Sequence, residues 1–370
     1  MKELRIKDIC DKGSSNLKQK DVEGKNGLYP VYGASGIISH IDTYHQEANY
    51  IAIVKDGSGI GRVSFMPAKS SVIGTMQYIL PKEGFNINYI GYCLQSLDLS
   101  KYKQGAAIPH IYFRDYGERI VKVTEDINEQ QSIVDYLDSA FAKIDAMKAN
   151  AEKALDEANA LFQASLKEML EPKEGWEETA LKELGQTQTG TTPSKSDKVN
   201  YGDFMEFIRP SEIDCDGIGS INYNCEMKLS KQGASKGRIF NSNSIFMVCI
   251  GATIGKVGFS TKNISCNQQI NVFTPKEKIN YKFAYYAMKS PSFQHRVIKE
   301  GTSSQATLPI INKGKWEQLS ICFPAIKEQE IIVSHLDLLS LNVLKLKTNY
   351  NKISQECDAL KQAILKQVFE

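Results

Sequence analysis

Asp126-Ile-Asn-Glu-Gln-Gln-Ser-Ile-Val-Asp-Tyr-Leu-Asp138 and Ala325-Ile-Lys-Glu-Gln-Glu-Ile-Ile-Val-Ser-His-Leu-Asp337 are one stretch written twice, 199 residues apart. Self-similarity at a fixed spacing marks a repeated structural unit. The same offset carries Leu161, Gln163, Ala164, Leu166 and Lys167 onto Leu360, Gln362, Ala363, Leu365 and Lys366. The two segments therefore align without a gap as far as Glu171 and Glu370. Upstream, Ile60-Gly-Arg-Val-Ser-Phe65 matches Ile254-Gly-Lys-Val-Gly-Phe259 at an offset of 194. Ile108-Pro109 matches Leu308-Pro309 at 200, and Ile6-Lys-Asp-Ile9 matches Leu181-Lys-Glu-Leu184 at 175. Growth of the offset from 175 to 200 gives the second copy about 25 extra residues. Most fall before Ile254 and are expected in the Gly-, Thr- and Ser-rich stretch from Thr187 to Gly219.

Each repeated start opens a segment without Gly or Pro, from Asn128 to Leu170 and from Ala325 to Glu370. Pro172 closes the first and Pro324 precedes the second, as at helix boundaries. In the second, Ile332, Leu336, Leu339, Val343, Leu346, Tyr350, Ile353, Cys357, Leu360 and Ile364 step by four and three, the spacing of a coiled-coil seam. The same register in the first runs through Ile133, Leu137, Ala140, Ile144, Met147, Ala151, Ala154, Ala158 and Leu161. One bulky and one alanine-rich seam predict an intramolecular antiparallel pair. The alternative is two separate amphipathic helices, each lying on its own domain. A helix of ~43 residues is ~65 Å long at 1.5 Å per residue, which suits a spacer.

The regions between read as mixed α/β. Tyr29-Pro-Val-Tyr32, Tyr50-Ile-Ala-Ile-Val54, Arg62-Val-Ser-Phe65 and Ser71-Val-Ile73 are short β-type runs broken by Gly, Pro and Ser, followed by a helix near Asn88–Leu97. The second copy repeats them with Ser244-Ile-Phe-Met-Val-Cys-Ile250, Lys256-Val-Gly-Phe259, Ile270-Asn-Val-Phe273 and a helix near Tyr281–Met288. The predicted order is a globular unit at 1–125, a helix at 126–171, a second unit at 172–324 and a second helix at 325–370. In fold class this is α+β with a pseudo-twofold repeat.

The 370 residues are 42% hydrophobic and 24% charged, as in an ordinary globular chain. No apolar run approaches the ~18 residues of a membrane span. Met1-Lys-Glu-Leu-Arg-Ile-Lys-Asp-Ile-Cys10 lacks the apolar core of a secretory signal. The eight cysteines form no C-x-x-C pair and read as reduced thiols, so a cytosolic protein is expected. Charge is partitioned: residues 1–125 carry +3, 126–171 carry −6, 172–324 carry +5 and 325–370 carry 0. Two mildly basic units on an acidic or neutral frame suit a polyanionic partner, or are simply solvated surface.

Catalytic signatures fail. Gly57-Ser-Gly-Ile-Gly61 follows a strand, but another strand comes next, leaving no helix N-terminus to hold a pyrophosphate. A glycine hairpin is the better reading, repeated as Gly251-Ala-Thr-Ile-Gly255. Gly251 to Lys256 is one residue short of a phosphate loop and lacks the following Ser or Thr. Asp216 with Glu226-Met-Lys228 has the form of a metal-dependent nuclease's acidic pair plus lysine, without a counterpart in the first copy. The five histidines form no metal-binding pair, and there is no G-x-S-x-G elbow. No Pro-Pro-Tyr/Phe motif of amino-methyltransferases is present.

Leu28-Tyr-Pro-Val-Tyr-Gly-Ala-Ser-Gly36, the glycine hairpins and the Glu-Gln-x-x-Ile-Val-x-x-Leu-Asp starts at Glu129 and Glu328 resemble the specificity subunits of type I restriction–modification systems. The resemblance spans essentially the whole chain. It implies a subunit without a catalytic centre or cofactor of its own, in which two target-recognition domains each read one half of a split, asymmetric site in double-stranded DNA. It implies paired helices that fix the spacer and dock two methyltransferase subunits, which bring S-adenosylmethionine and methylate adenine. Translocating restriction subunits join the same assembly. A ~65 Å rod suits two readers about one ~34 Å turn of DNA apart.

Base edges are read by paired hydrogen bonds, Arg or Lys to guanine and Asn or Gln to adenine, while other cations grip phosphates. On that chemistry the candidates in the first unit are Tyr32, Ser35, Lys55, Arg62, Lys69, Gln77, His110 and Arg114. In the second they are Thr191, Lys195, Arg209, Lys236, Arg238, Lys256, Gln268 and Gln269. Each is otherwise a solvated or turn-stabilising side chain. Rival readings are a specificity subunit of another defence system, a coiled-coil adaptor that binds only protein, and a nuclease built on Asp216.

Overall fold

Tyr50-Ile-Ala-Ile-Val54 is buried at all five positions, so the strand is covered on both faces. Successive side chains of a strand point to opposite faces. Ile51 and Ile53 join a cluster with Ile79, Tyr89 and Ile90, and Tyr50, Ala52 and Val54 join another with Val72, Met76 and Tyr78. Ile245–Val248 does the same in the second copy, with Ile245 and Met247 on one side and Phe246 and Val248 on the other.

The computed structural model describes residues 1–105, 108–214, 217–302 and 308–370. It divides into two compact units, Met1–Asn150 with Lys352–Glu370, and Ala151–Asn351. Each unit thus takes part of each long helix, Ile127–Met169 and Ile326–Phe369. Among the described residues no helix is long and apolar enough to cross a membrane.

In the first unit a four-stranded antiparallel sheet has the order Cys10–Ser14, Met76–Pro81, Tyr50–Val54, Val63–Met66. A three-stranded sheet sets Tyr29–Gly33 between Gly36–Ile41, antiparallel, and Ser71–Val72, parallel. Lys2–Arg5 pairs with Ile120–Val123. The second unit has the same order, Gly185–Thr189, Ile270–Pro275, Ile245–Val248, Val257–Phe259. Its three-stranded sheet sets Tyr201–Ile208 between Lys228–Leu229 and Ser265–Cys266, and Glu177–Ala180 pairs with Ser320–Phe323. The helices Ile87–Ser96 and Tyr281–Lys289 start where Asn86 and Asn280 side chains accept two backbone N–H groups each.

The extra residues of the second copy sit later than expected. Val31 pairs with Ser71 and Phe207 with Ser265, so the offset is still 176 at Phe207. It becomes 194 by Ile245, the counterpart of Ile51. Most of the insertion therefore lies between Ile208 and Ile245, whereas Thr187–Thr189 belongs to a strand shared by both copies. Composition misled because the inserted stretch is not all loop: it supplies Ile213, Ile221, Cys225 and Phe240 to a core cluster.

In the first unit the helix portions run antiparallel. Lys361 Nζ lies 2.6 Å from Asp145 and Lys148 Nζ 3.4 Å from Asp358, while Cys357 Sγ meets the Ile144 carbonyl. In the second, Phe162 and Leu166 pack in one cluster with Ile332, Val333 and Leu336. Of the expected seam, Leu137, Ile144, Ile332 and Leu336 are buried, and Ile133, Leu339, Val343, Leu346, Ile353 and Ile364 half-buried. Met147, Leu161 and Leu360 are exposed, which corrects the register. From Leu137 the first helix turns inward at Phe141, Ile144, Lys148, Ala151, Leu155, Ala158 and Phe162, with four residues before three, not three before four. Ala140 and Ala154 allow either order, so the large residues at 141 and 162 decide it. In the second helix Leu339 packs against the core cluster beside buried Ser340, and Lys361 replaces Leu360 as the inward position.

Seven described cysteines are free, and six of them are buried. Burial pushes Cys93 and Cys249 up to about 12, which leaves them as inert thiols.

Candidate nucleic-acid interface

Between strands Tyr50–Val54 and Val63–Met66 the chain must reverse tightly. Gly57, Gly59 and Gly61 adopt φ of 86°, 85° and 82°, which L side chains rarely tolerate. The hairpin closes through Gly61 N–H to the Val54 carbonyl at 2.8 Å. It is stitched to the segment around His110 by Gly57 N–H to Pro109 O at 3.0 Å and Ile111 N–H to Lys55 O at 2.9 Å. This brings together residues far apart in sequence. His110 Nδ1 lies 2.7 Å from Asp56 Oδ1, and Lys55 Nζ 3.8 Å from Asp56 Oδ2. His110 stacks on Tyr112, and the Arg114 guanidinium lies 4.7 Å over the same Tyr112 ring. Arg62 donates to the Ala34 carbonyl at 2.9 Å, tying the hairpin to the turn that carries exposed Ser35.

Lys55, His110, Arg114, Arg62 and Ser35 are therefore gathered around one hairpin. Asp56 and Tyr112 were missed, although both are sequence neighbours of gathered residues. Lys69 stands apart, exposed at φ 53°. Tyr32 is half-buried against the cluster of Tyr50. Gln77 is removed from the candidates: it is 5% exposed and its amide donates to the Tyr116 hydroxyl. An alternating strand position facing the core cannot also face a base edge.

The second unit repeats the scaffold with other side chains. Gly255 N–H donates to Val248 O at 2.9 Å, Gly251 N–H to Pro309 O at 3.0 Å and Ile311 N–H to Cys249 O at 2.9 Å. Ile250 and Ile310 pair where Asp56 and His110 pair in the first unit. Beside them is a cluster of amides. Asn267 Nδ2 donates to Gln269 Oε1 at 2.8 Å, Gln269 Nε2 to Ile250 O at 3.5 Å, and the Thr192 hydroxyl to Gln268 Oε1. Thr191 Oγ1 accepts from the Arg238 backbone at 3.0 Å, and Thr191 N–H donates to Cys266 O. Thr191, Arg238, Gln268 and Gln269 thus gather on the strand-to-strand loop ending at Ile270, and half-buried Lys256 follows the hairpin. Asn267 and Thr192 were missed.

Three basic candidates lie elsewhere, and two of them are already engaged. Lys236 Nζ is 3.0 Å from Asp197, and Arg209 reaches Glu212 at 3.1 Å and Glu226 at 3.4 Å. Lys195 is exposed on a separate loop. Of the acidic nuclease-like set, Asp216 lies outside the described residues and Glu226 pairs with Arg209. Among the described residues no group of three or more His, Cys, Asp or Glu side chains is placed to hold a metal ion.

A protein-family model described as the type I restriction modification DNA specificity domain matches residues 1–156 and 173–355. The chain is 31% identical over 159 residues to the type I restriction enzyme HindI specificity subunit of Haemophilus influenzae, covering 41% of this chain and 32% of that protein. It is 25% identical over 191 residues to the MjaIX specificity subunit of Methanocaldococcus jannaschii, covering 50% and 43%. These alignments span less than half the length of either relative. Among solved structures, one described under complex assembly and conformational transition of the type I R-M system superposes with a TM-score of 0.74 at 16% identity, covering 99% of this chain and 96% of that one. The HsdS subunit of Thermoanaerobacter tengcongensis superposes with a TM-score of 0.55 at 14% identity, covering 99% and 95%. With the family domain matched in both units and the same architecture in these structures, the chain belongs to the type I restriction–modification DNA specificity family.

Proposed function

We propose that the chain is the non-catalytic DNA sequence-specificity subunit of a type I restriction–modification complex. The observation that carries this reading is the match of one specificity-domain model to both halves of the chain. Each unit reads one half of a bipartite, asymmetric site in double-stranded DNA, the first with the Lys55–His110–Arg114 group and Arg62, the second with the amide cluster and Lys256. The long helices pair as an antiparallel coiled coil, relate the units by a pseudo-twofold axis and fix the spacer. They dock two methyltransferase subunits, which supply S-adenosylmethionine and the adenine-methylating chemistry, and restriction subunits join that assembly. The site of action is the cytoplasm.

Backbone contacts make such binding steeply salt-dependent, and base contacts make it modular. In titrations of target duplexes, affinity falls steeply with salt, and Arg62→Ala and Gln268→Ala each relax one half-site. Salt-independent binding, or loss of both half-sites from either change, contradicts the reading.

A further inference from the structure

Gln130 and Gln329 hold the same place in the two repeated helix starts, and both are 0% exposed. A primary amide offers two N–H donors and an accepting oxygen. Gln130 Nε2 donates to the carbonyls of Thr124 at 3.0 Å and Gly84 at 3.1 Å, and its Oε1 accepts from Asn86 N–H at 2.6 Å. Gln329 Nε2 donates to Pro324 at 2.8 Å and Lys278 at 3.1 Å, and its Oε1 accepts from Asn280 N–H at 2.8 Å. In both units the amide therefore joins the chain entering the long helix to the loop that caps the shorter helix, Ile87–Ser96 or Tyr281–Lys289. Eight residues further on, the same short helix is grasped again. The Tyr92 hydroxyl donates to Asp138, and the Tyr286 hydroxyl donates to Asp337 at 2.7 Å. Eight residues span ~12 Å of helix. One attachment point leaves a rod free to swing about it, whereas two such points fix its direction.

We propose that Gln130 with Asp138, and Gln329 with Asp337, are positioning pairs that fix the direction in which each long helix leaves its recognition unit, and thereby the spacer tolerated between half-sites. This rests on the DNA-specificity reading above. It assigns the repeated glutamine of the motif to the inside of each unit, because a glutamine without exposed surface presents nothing to a partner subunit.

The test uses the full chain expressed with its methyltransferase partner, with methylated adenines mapped across the genome. Tyr92→Phe with Tyr286→Phe removes one hydroxyl at each second attachment. Gln130→Met and Gln329→Met keep the side-chain size and remove the amide bonds. Thermal melting of each purified chain checks the fold. The expected result is unchanged half-site letters with a new class of sites whose spacer differs by one base pair, more abundant in the glutamine variants. A single wild-type spacer in every folded variant overturns the proposal, as do altered half-site letters at unchanged spacing. If the glutamine variants do not fold, the tyrosine pair decides alone. A wild-type chain that yields no bipartite motif instead overturns the specificity reading itself.

Discussion

In the first unit Lys55, Asp56 and His110 stand where Cys249, Ile250 and Ile310 stand in the second. The backbone bonds beneath them agree to within 0.1 Å, with Gly57 and Gly251 N–H each 3.0 Å from a proline carbonyl and Ile111 and Ile311 N–H each at 2.9 Å. The scaffold is held by main chain and glycine, so its surface side chains are free to diverge. A charged and aromatic string, Lys55–Asp56–His110–Tyr112–Arg114, is thus replaced by two isoleucines beside a cluster of amides. The proposed reading of two different half-sites calls for such an arrangement, with common geometry below and different hydrogen-bonding chemistry above.

The shared scaffold is tested most severely at positions matched by the 199-residue offset. Leu137 and Leu336 are counterparts, each 0% exposed. Leu137→Asp and Leu336→Asp should each cost about 4 kcal/mol or more, because an unpaired charge enters a core. Leu161 and Leu360 are also counterparts but are exposed, and Asp there should change stability by less than about 0.5 kcal/mol. Denaturant melts that rank Leu161→Asp with Leu137→Asp would break the corrected register.

A second contrast lies in the cores. Tyr116 and Trp316 occupy matched, fully buried positions, but Tyr116 accepts from Gln77 and Trp316 donates to Met247 Sδ at 3.2 Å. Trp316→Ala should cost about 3–5 kcal/mol through the lost volume. Tyr116→Phe should cost about 1–3 kcal/mol, because the buried Gln77 amide loses its partner. Equal losses in chemical denaturation would remove this distinction between the units.

On the proposed reading surface the effects are smaller and directional. Arg62→Ala should relax the first half-site and Gln268→Ala the second, each by about 1–3 kcal/mol if a base pair is read there. Competition assays with half-site mismatches measure this, and a variant that relaxes both halves would break the modular comparison.

The smallest effect is one of pH. The Lys313 side chain, then the Thr187 hydroxyl, hold the Glu317 carboxyl below its usual 4.5. A depressed carboxylate contributes stability above its unfolded value, and that contribution is lost as pH falls through the folded value. The first unit has Gly117 at the matched position. Acidification below about pH 4.5 should therefore weaken the second unit through this group, and Glu317→Gln should flatten that slope in melts against pH. An unchanged slope would assign the acid sensitivity elsewhere.

Much of this was legible because the determining signals are local. Five apolar residues in a row at Tyr50 announce a strand covered on both faces, and the absence of Gly and Pro from Asn128 to Leu170 announces a long helix. Alternate positions of the first helix's seam were read one residue out because alanine fits either side of a heptad boundary, so only packing of Phe141 and Phe162 resolves them. The Asp56–His110 contact was illegible, since it joins residues 54 apart through backbone stitching that no periodicity records. Gln77 failed as a candidate because its chemistry suits a base edge equally well as a buried phenol, and only burial separates the two.

The central claim is that one chain reads two different half-sites and confers them on a methyltransferase. It is tested most directly by mapping adenine methylation in cells expressing this chain with its methyltransferase partner, and in cells expressing each alone. The account predicts one split, asymmetric motif that appears only when both are present. Folded, associated proteins that leave no such motif, or a motif already present with the methyltransferase alone, would contradict it.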